Sequence, residues 1–276
     1  MSDKILAVDI GGTSVKAGFF DVAGQRPRLM EKQRIPLSEA TIDATRQIVQ
    51  DLITTYTPKK VGISTAGSVQ PDGMVRDMSH RIRGYEDFYW SDHFPSEVEV
   101  KVLNDGHASA IGVYYFDDTV KAKSSLVHVA VGSSIGGGII TNGQVWRGAG
   151  GLAGNLGDMV LGSEVPAFYL ADVFTSIIYK DGQLNKDQKS IEEAGRNLGY
   201  GIASLTHIFN PEVITLGGGV FDAFGGNAPS NPLFQATLES FKKTGRPNLV
   251  KDTTLQVTSL GNDAALYGAA SLHIKN

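Results

Sequence analysis

Short apolar runs and alternations carry the first signal in this chain. Residues 4–10, 15–21, 61–65, 98–103, 126–131, 136–141 and 213–216 read as strands, because apolar residues recur there continuously or at every second position. The spacing changes to that of a helix at about 41–55, 107–116, 165–179, 190–209 and 262–273. In the first of these, Ile42, Ile48, Val49, Leu52 and Ile53 fall near one face. Asn210-Pro211 closes the fourth, since proline brings no N–H to continue the helical ladder. Strands and helices alternate after each opening hairpin, which predicts an α/β fold.

Two stretches echo each other. "LAVDIGGTSVKAGFFD" (6–21) and "VHVAVGSSIGGGIITNG" (127–143) both read as strand, small-residue turn, strand. "VLNDGHASAIG" (102–112) and "SLGNDAALYGA" (259–269) both read as a strand end, Asn-Asp, then a helix of small residues. Two echoes in one order predict two related halves, residues 1–117 and 118–261, divided near the polar stretch 117–123. The final helix, 262–276, is expected to pack back on the first half.

Composition narrows the function. The chain has 276 residues, 41% of them hydrophobic and 20% charged, enough for a large core. A net charge of −4 gives no footprint for nucleic acid, and no basic run suits an anionic membrane. No apolar run reaches the length of a spanning helix, and the N-terminus lacks the apolar core of a secretory signal. The absence of cysteine removes disulfides and thiolate zinc sites, and suits a cytoplasmic protein. The six histidines are scattered without paired spacing, so they do not read as ligands, and most read as surface or capping residues.

The 33 glycines cluster in turns. Gly11-Gly12 and Gly136-Gly137-Gly138 would let backbone N–H groups converge on an anion, with hydroxyls from Thr13, Ser133 and Ser134; each also suits an ordinary hairpin. Neither is a Walker A loop or a dinucleotide fingerprint. Gly217-Gly218-Gly219 could lie flat against a purine or serve as a plain strand-to-helix loop. Asp105 follows a strand and opens a helix, at the sheet end where α/β proteins bind ligands. It suits a general base, and by sequence alone more readily a helix N-cap. Asp9 reads as a turn cap or as a carboxylate holding magnesium through water.

Taken in order, these segments resemble the ROK sugar kinases of the actin-like, ribonuclease-H-like ATPase superfamily. "DIGGTSVKAGFFD" is similar to their first phosphate motif, "GISTAGSV" to the sugar-side loop, and "VLNDGHASAIG" to the Asn-Asp motif. "VGSSIGGGIITNGQVWRGAGGLAGNLGD" resembles the second phosphate motif and sugar loop, and "VITLGGGV" the adenosine motif. The resemblance implies two ribonuclease-H-like lobes with a cleft between them, and transfer of the ATP γ-phosphate to a sugar 6-hydroxyl.

By that resemblance Asp105 is the catalytic base. Asn104, Ser64, Thr65, Ala66, Gly67, Asn155, Asp158 and Asp172 would serve the sugar. Asp9, Gly11, Gly12, Thr13, Lys16, Gly132, Ser133, Ser134, Gly136, Gly217, Gly218 and Gly219 would serve ATP, with Mg²⁺ on Asp9 through water. A homodimer is implied. The family's Glu-x-Gly-His is Asn155-Leu156-Gly157-Asp158 here, its cysteine-rich zinc segment is missing, and Ala66 stands where proline is common. A zinc-free branch is implied, with glucose, N-acetylmannosamine or a related hexose as substrate. A catalytically inactive sugar-binding regulator is the alternative. Regulators of this kind carry an N-terminal DNA-binding helix pair, so DNA binding is not expected of a chain that opens on the first phosphate strand.

Overall fold

A computed structural model describes residues 4–23, 27–76, 82–120, 124–162 and 169–274. The chain divides into two compact units. Residues 1–112, 147–153 and 265–276 form the first, and 113–146 and 154–264 the second.

In the first unit, β1 (Lys4–Ile10), β2 (Ser14–Asp21) and β3 (Arg28–Pro36) form an antiparallel meander, followed by helix α1 (Ile42–Tyr56). Then come β4 (Lys60–Thr65), the small hairpin β5 (Ser68–Val69) and β6 (Val75–Arg76), and β7 (Glu99–Asn104), which runs directly into α2 (Asp105–Phe116). The sheet order is β3-β2-β1-β4-β7, with β1, β4 and β7 parallel. One face, through Leu6, Val8, Ile10 and Ile63, packs with Val49 and Leu52 of α1 and with Trp90. Thr41 caps α1 by accepting from the Ala44 N–H at 3.2 Å.

The second unit repeats that plan. It contains β8 (Ser125–Val131), β9 (Ile135–Thr141), β10 (Gln144–Val145), α3 (Leu170–Ile178), the ribbon β11 (Tyr179–Lys180) and β12 (Gln183–Leu184), and α4 (Gln188–Phe209). Next are β13 (Val213–Gly217), α5 (Gly219–Ala223), α6 (Pro232–Thr244), α7 (Pro247–Asp252) and β14 (Thr254–Val257). Its sheet order is β10-β9-β8-β13-β14, again three antiparallel strands and two parallel neighbours. The repeated topology is what the two sequence echoes predict.

Helix α8 (Ala264–Ser271) covers the other face of the first sheet, its Leu266, Ala269 and Ala270 meeting Ala7 and Phe20. The approach is close: a Cβ at Gly62 would overlap the Ala269 carbonyl oxygen, and one at Gly268 would overlap that of Ala108.

Several expectations need correction. The helix expected at 165–179 is Leu170–Ile178, and Tyr179 begins a strand; residues 163–168 lie outside the described residues. The helix expected at 262–273 starts as a 3₁₀ turn at Gly261–Asp263 and ends at Ser271. The chain divides at 112/113, inside α2, and residues 121–123 of the expected linker lie outside the described residues.

The histidines also differ from expectation. His107, His128 and His273 are buried; His80 lies outside the described residues. His128 on β8 is fully enclosed, its Nδ1 2.9 Å from Thr215 Oγ1, and burial pushes its pKa down to about 4 against the opposing pull of Asp117. From the ordinary value of 6.5 down to about 4, the unfolded chain therefore holds a proton that the folded chain does not. Stability attributable to this site is present above pH 6.5 and is lost as pH falls through that window, by about 3 kcal/mol in full. Denaturant unfolding of wild type and His128→Gln across this range should give a difference that shrinks as pH falls. A pH-independent difference would contradict the assignment.

Candidate active site

In the first unit the ends of three parallel strands coincide, because Ile10 pairs with Thr65 and Thr65 with Asn104. The β1–β2 turn, the loop after β4 and the start of α2 therefore share one edge of the sheet, the carboxyl end where α/β sheets receive ligands.

Asp9 sits at that edge. Lys16 Nζ donates to its Oδ2 at 3.1 Å and Ser64 Oγ to its Oδ1 at 2.8 Å. Register causes this, since Asp9 lies opposite Lys16 on β2 and Ser64 on β4. Its side chain keeps 14% exposure. Beyond it, Gly11, Gly12 and Thr13 form an exposed turn. Gly11 N–H closes onto Ser14 O at 3.1 Å. Among the described residues no acceptor takes the N–H of Gly12 or Thr13. Two outward amides beside a tethered carboxylate fit a phosphate and its hydrated magnesium. Among the described residues no three His, Asp or Glu groups form a metal cage. A magnesium ion bound through its own waters needs only one carboxylate.

Ser64 and Thr65, expected at the sugar, are both fully buried. Ser64 is committed to Asp9, and Thr65 Oγ1 donates to Tyr85 Oη at 2.8 Å, which also accepts from Trp90 Nε1 at 2.6 Å. Both hydroxyls fix the strand end and its loop. Ala66 is buried too, and Gly67 takes φ 95°.

Asn104 and Asp105 divide the start of α2 between them. Asn104 Oδ1 accepts from the His107 N–H at 3.2 Å, so Asn104 is the helix N-cap. Its Nδ2 donates to Gly67 O and to Asp105 Oδ1, both at 3.0 Å. Asp105 Oδ1 also accepts from the Gly106 N–H at 2.8 Å. The carboxylate is thus aimed by its neighbours at the start of α2. His107, two residues on, donates from Nε2 to Ala153 O, and burial holds its pKa below the usual histidine range. A carbonyl only accepts, so the ring is the Nε2–H tautomer.

In the second unit, Gly217 pairs with Ala130, which sets Gly217–Gly219 beside the β8–β9 turn. A Cβ at Gly218, where φ is 95°, would press on the Val131 carbonyl. The turn itself holds Gly132, Ser133 and Ser134. Gly132 N–H bonds Ser134 O at 2.9 Å, and among the described residues the N–H groups of Ser133 and Ser134 have no acceptor. At Gly136 a Cβ would meet open space.

Asn155 and Asp158 lie near the start of β9, because Gly154 presses on Gly137 and Gly157 on Ile135. Both are exposed, and Asn155 Nδ2 donates to Asp158 Oδ2. Asp158 is therefore engaged with its neighbour. Asp172 is exposed in the first turn of α3, one residue after Ala171, which adjoins Gly157.

Two groups escaped the sequence reading. Asp117, at the end of α2, is buried and accepts from Thr119, Thr258 and Ser259, whose donors hold its carboxyl below the usual range despite burial. Arg147 is half-buried in the loop that ends at Ala153. Asp117 belongs to no quoted motif, and Arg147 lies inside the quoted 131–158 stretch without being singled out there. Thr119 is local, but Thr258 and Ser259 lie more than a hundred residues away, and no local pattern reports them.

Comparison with known proteins gives a consistent picture. The profile of the ROK family matches residues 5–168 and 172–276. A glucokinase of Halalkalibacterium halodurans is 24% identical, over 99% of this chain and 96% of its own. The structure of a ROK family glucokinase from Streptomyces griseus in complex with glucose and AMPPNP superposes with a TM-score of 0.80 at 23% identity, covering 98% of both chains. A ROK family transcriptional regulator, a homolog of the E. coli MLC protein, superposes with a TM-score of 0.74 at 19% identity. It matches 97% of this chain and 76% of its own.

Proposed function

Because the chain belongs to the ROK family and has the actin-like ATPase fold, we propose that it is an ATP-dependent sugar kinase. It transfers the γ-phosphate of Mg-ATP to the 6-hydroxyl of a hexose or N-acetylhexosamine, with glucose- and N-acetylmannosamine-like sugars as the candidates. The observation that carries this reading is the division of labour at the start of α2. Asn104 caps the helix and with the Gly106 N–H holds the Asp105 carboxylate in place, in the same unit as Asp9 and the Gly11–Thr13 turn.

Asp105 orients the sugar hydroxyl and accepts its proton as the oxygen attacks phosphorus. Asn104 and Gly67 fix the adjoining wall of the sugar site. The amides of Gly12 and Thr13, and of Ser133, Ser134 and Gly136, donate to phosphate oxygens, where fixed dipoles offset charge on the transferring group. Gly217–Gly219 leave room along the adenosine. Asp9, held by Lys16 and Ser64, would hold a hydrated magnesium ion, which would supply charge neutralisation for the phosphates. Asn155 accepts from or donates to sugar hydroxyls, with Asp158 and Asp172 nearby in the chain's second unit.

No helix among the described residues is long and apolar enough to cross a membrane. The absence of cysteine suits a cytoplasmic enzyme, and membership of the family supports a homodimer. ADP release from Mg-ATP, followed across a panel of hexoses and N-acetylhexosamines, tests the function. One or a few sugars should stimulate turnover well above a low sugar-independent rate. If sugars bind and none stimulates turnover, the kinase reading fails in favour of a sugar-binding regulator.

A further inference from the structure

The loop from Arg147 to Ala153 is fastened to the first unit at several points. Ser68 Oγ donates to Gly150 O at 2.6 Å and Gln70 Nε2 to the same oxygen at 3.0 Å. His107 Nε2 holds Ala153 O, and the Ala153 N–H closes the loop onto Arg147 O at 3.0 Å. Gly148 and Gly151 both take φ 70°, and a Cβ at Gly151 would press on the Val69 carbonyl. These ties tether the loop, and Arg147 with it, to two segments already placed at the sugar. One is the start of α2. The other is the hairpin that follows the Ser64–Gly67 loop.

Arg147 itself is half-buried, and burial alone lowers its pKa from the usual arginine value. Its charge is felt at His107, two residues beyond Asp105. Among the described residues no carboxylate, carbonyl or aromatic ring takes the guanidinium. The donor nitrogens still reach solvent, so a half-buried guanidinium with no protein acceptor is open to the oxygens of a ligand. A fastened loop cannot swing the group out to solvent freely. The partner is then expected from a ligand.

We propose that Arg147 is a substrate-binding residue for the sugar. Its guanidinium donates to acceptor oxygens of the bound sugar, either a pair of neighbouring hydroxyls or an N-acetyl carbonyl, away from the hydroxyl that Asp105 addresses. A planar fork suits two adjacent oxygens, which a lysine cannot match. The sugar is chosen over the nucleotide phosphates because the ties run to Ser68, Gln70 and His107, and none of them to the Gly11–Thr13 turn. This inference rests on the kinase reading.

Steady-state kinetics of wild type, Arg147→Ala and Arg147→Lys test it, with D-glucose, N-acetyl-D-mannosamine and Mg-ATP each varied. In Arg147→Ala the KM of the productive sugar should rise about 10- to 100-fold, the loss expected for a charged hydrogen-bond donor, while the KM of Mg-ATP stays within about twofold. Arg147→Lys should recover only part of the sugar affinity. An unchanged sugar KM in Arg147→Ala, or a rise in the Mg-ATP KM instead, overturns the assignment. If the alanine variant does not fold, a wild-type sugar KM in the lysine variant overturns it equally. Inactivity of the wild type across the whole panel of hexoses and N-acetylhexosamines is a different result, for it removes the kinase reading on which the inference stands.

Discussion

Replacing Asp105 with asparagine should lower kcat by about 10²- to 10⁴-fold, the usual contribution of a positioned general base. The substitution is nearly isosteric. Its amide oxygen can still accept from the Gly106 N–H and from Asn104 Nδ2, which hold the native carboxylate at 2.8 and 3.0 Å. Helix α2 keeps its cap, because that role belongs to Asn104. Sugar affinity, measured by calorimetry, should therefore change far less than turnover. An asparagine variant with wild-type kcat would show that Asp105 only organises the helix start. The neighbouring Asn104→Ala should behave differently, losing the cap and the Gly67 tie together, and so weakening both stability and sugar binding.

Asp9→Asn should give the second large effect, on the magnesium and nucleotide side. The native carboxylate neutralises Lys16, whose side chain is only 16% exposed, and receives the Ser64 hydroxyl. An amide in its place returns no charge to Lys16 and can turn a donor toward water that should be a donor itself. Groups that hold a metal's outer shell typically contribute about 10- to 100-fold to metal affinity or activity. The variant should need correspondingly more Mg²⁺ for half-maximal turnover, with the sugar KM little moved. A magnesium titration that superimposes on wild type would remove Asp9 from the metal's surroundings and leave it as a tie between β1, β2 and β4.

The sequence made the two sheets legible because each opens with a strand–glycine turn–strand unit of strongly apolar character. The Asn-Asp helix start was visible as well, since it follows a strand directly. Less local features were harder to see. Strand β3 is an exposed edge with the pattern RLMEKQRIP, where charged residues break the alternation that marks a strand. Helix α6 carried a readable start, Asn231 capping Phe234 at 3.1 Å with Pro232 in the first turn and two lysines at the end. It went unread because its buried face is partly polar, through Thr237 and Ser240, and packs on glycines 195 and 199 of α4.

Within the site, residue type misled where burial decides. Ser64 and Thr65 looked like sugar ligands by position in a motif, yet the pleat turns their hydroxyls to opposite faces, one toward Asp9 and one toward Tyr85. His107 and His128 looked like surface residues because nothing local reports the carbonyl of Ala153 or the hydroxyl of Thr215. The mutual bond of Asn155 and Asp158 was within reach of their three-residue spacing. It depends, however, on a 3₁₀ turn at Leu156–Asp158 that only packing against β9 explains.

The most direct measurement is phosphorus NMR of the products formed from Mg-ATP and the stimulating sugar, with the Asp105→Asn variant as control. The account expects a phosphomonoester on the sugar's 6-oxygen in equimolar yield with ADP, absent from the control. Inorganic phosphate in place of a sugar phosphate, or a product that forms equally well without the Asp105 carboxylate, would contradict it.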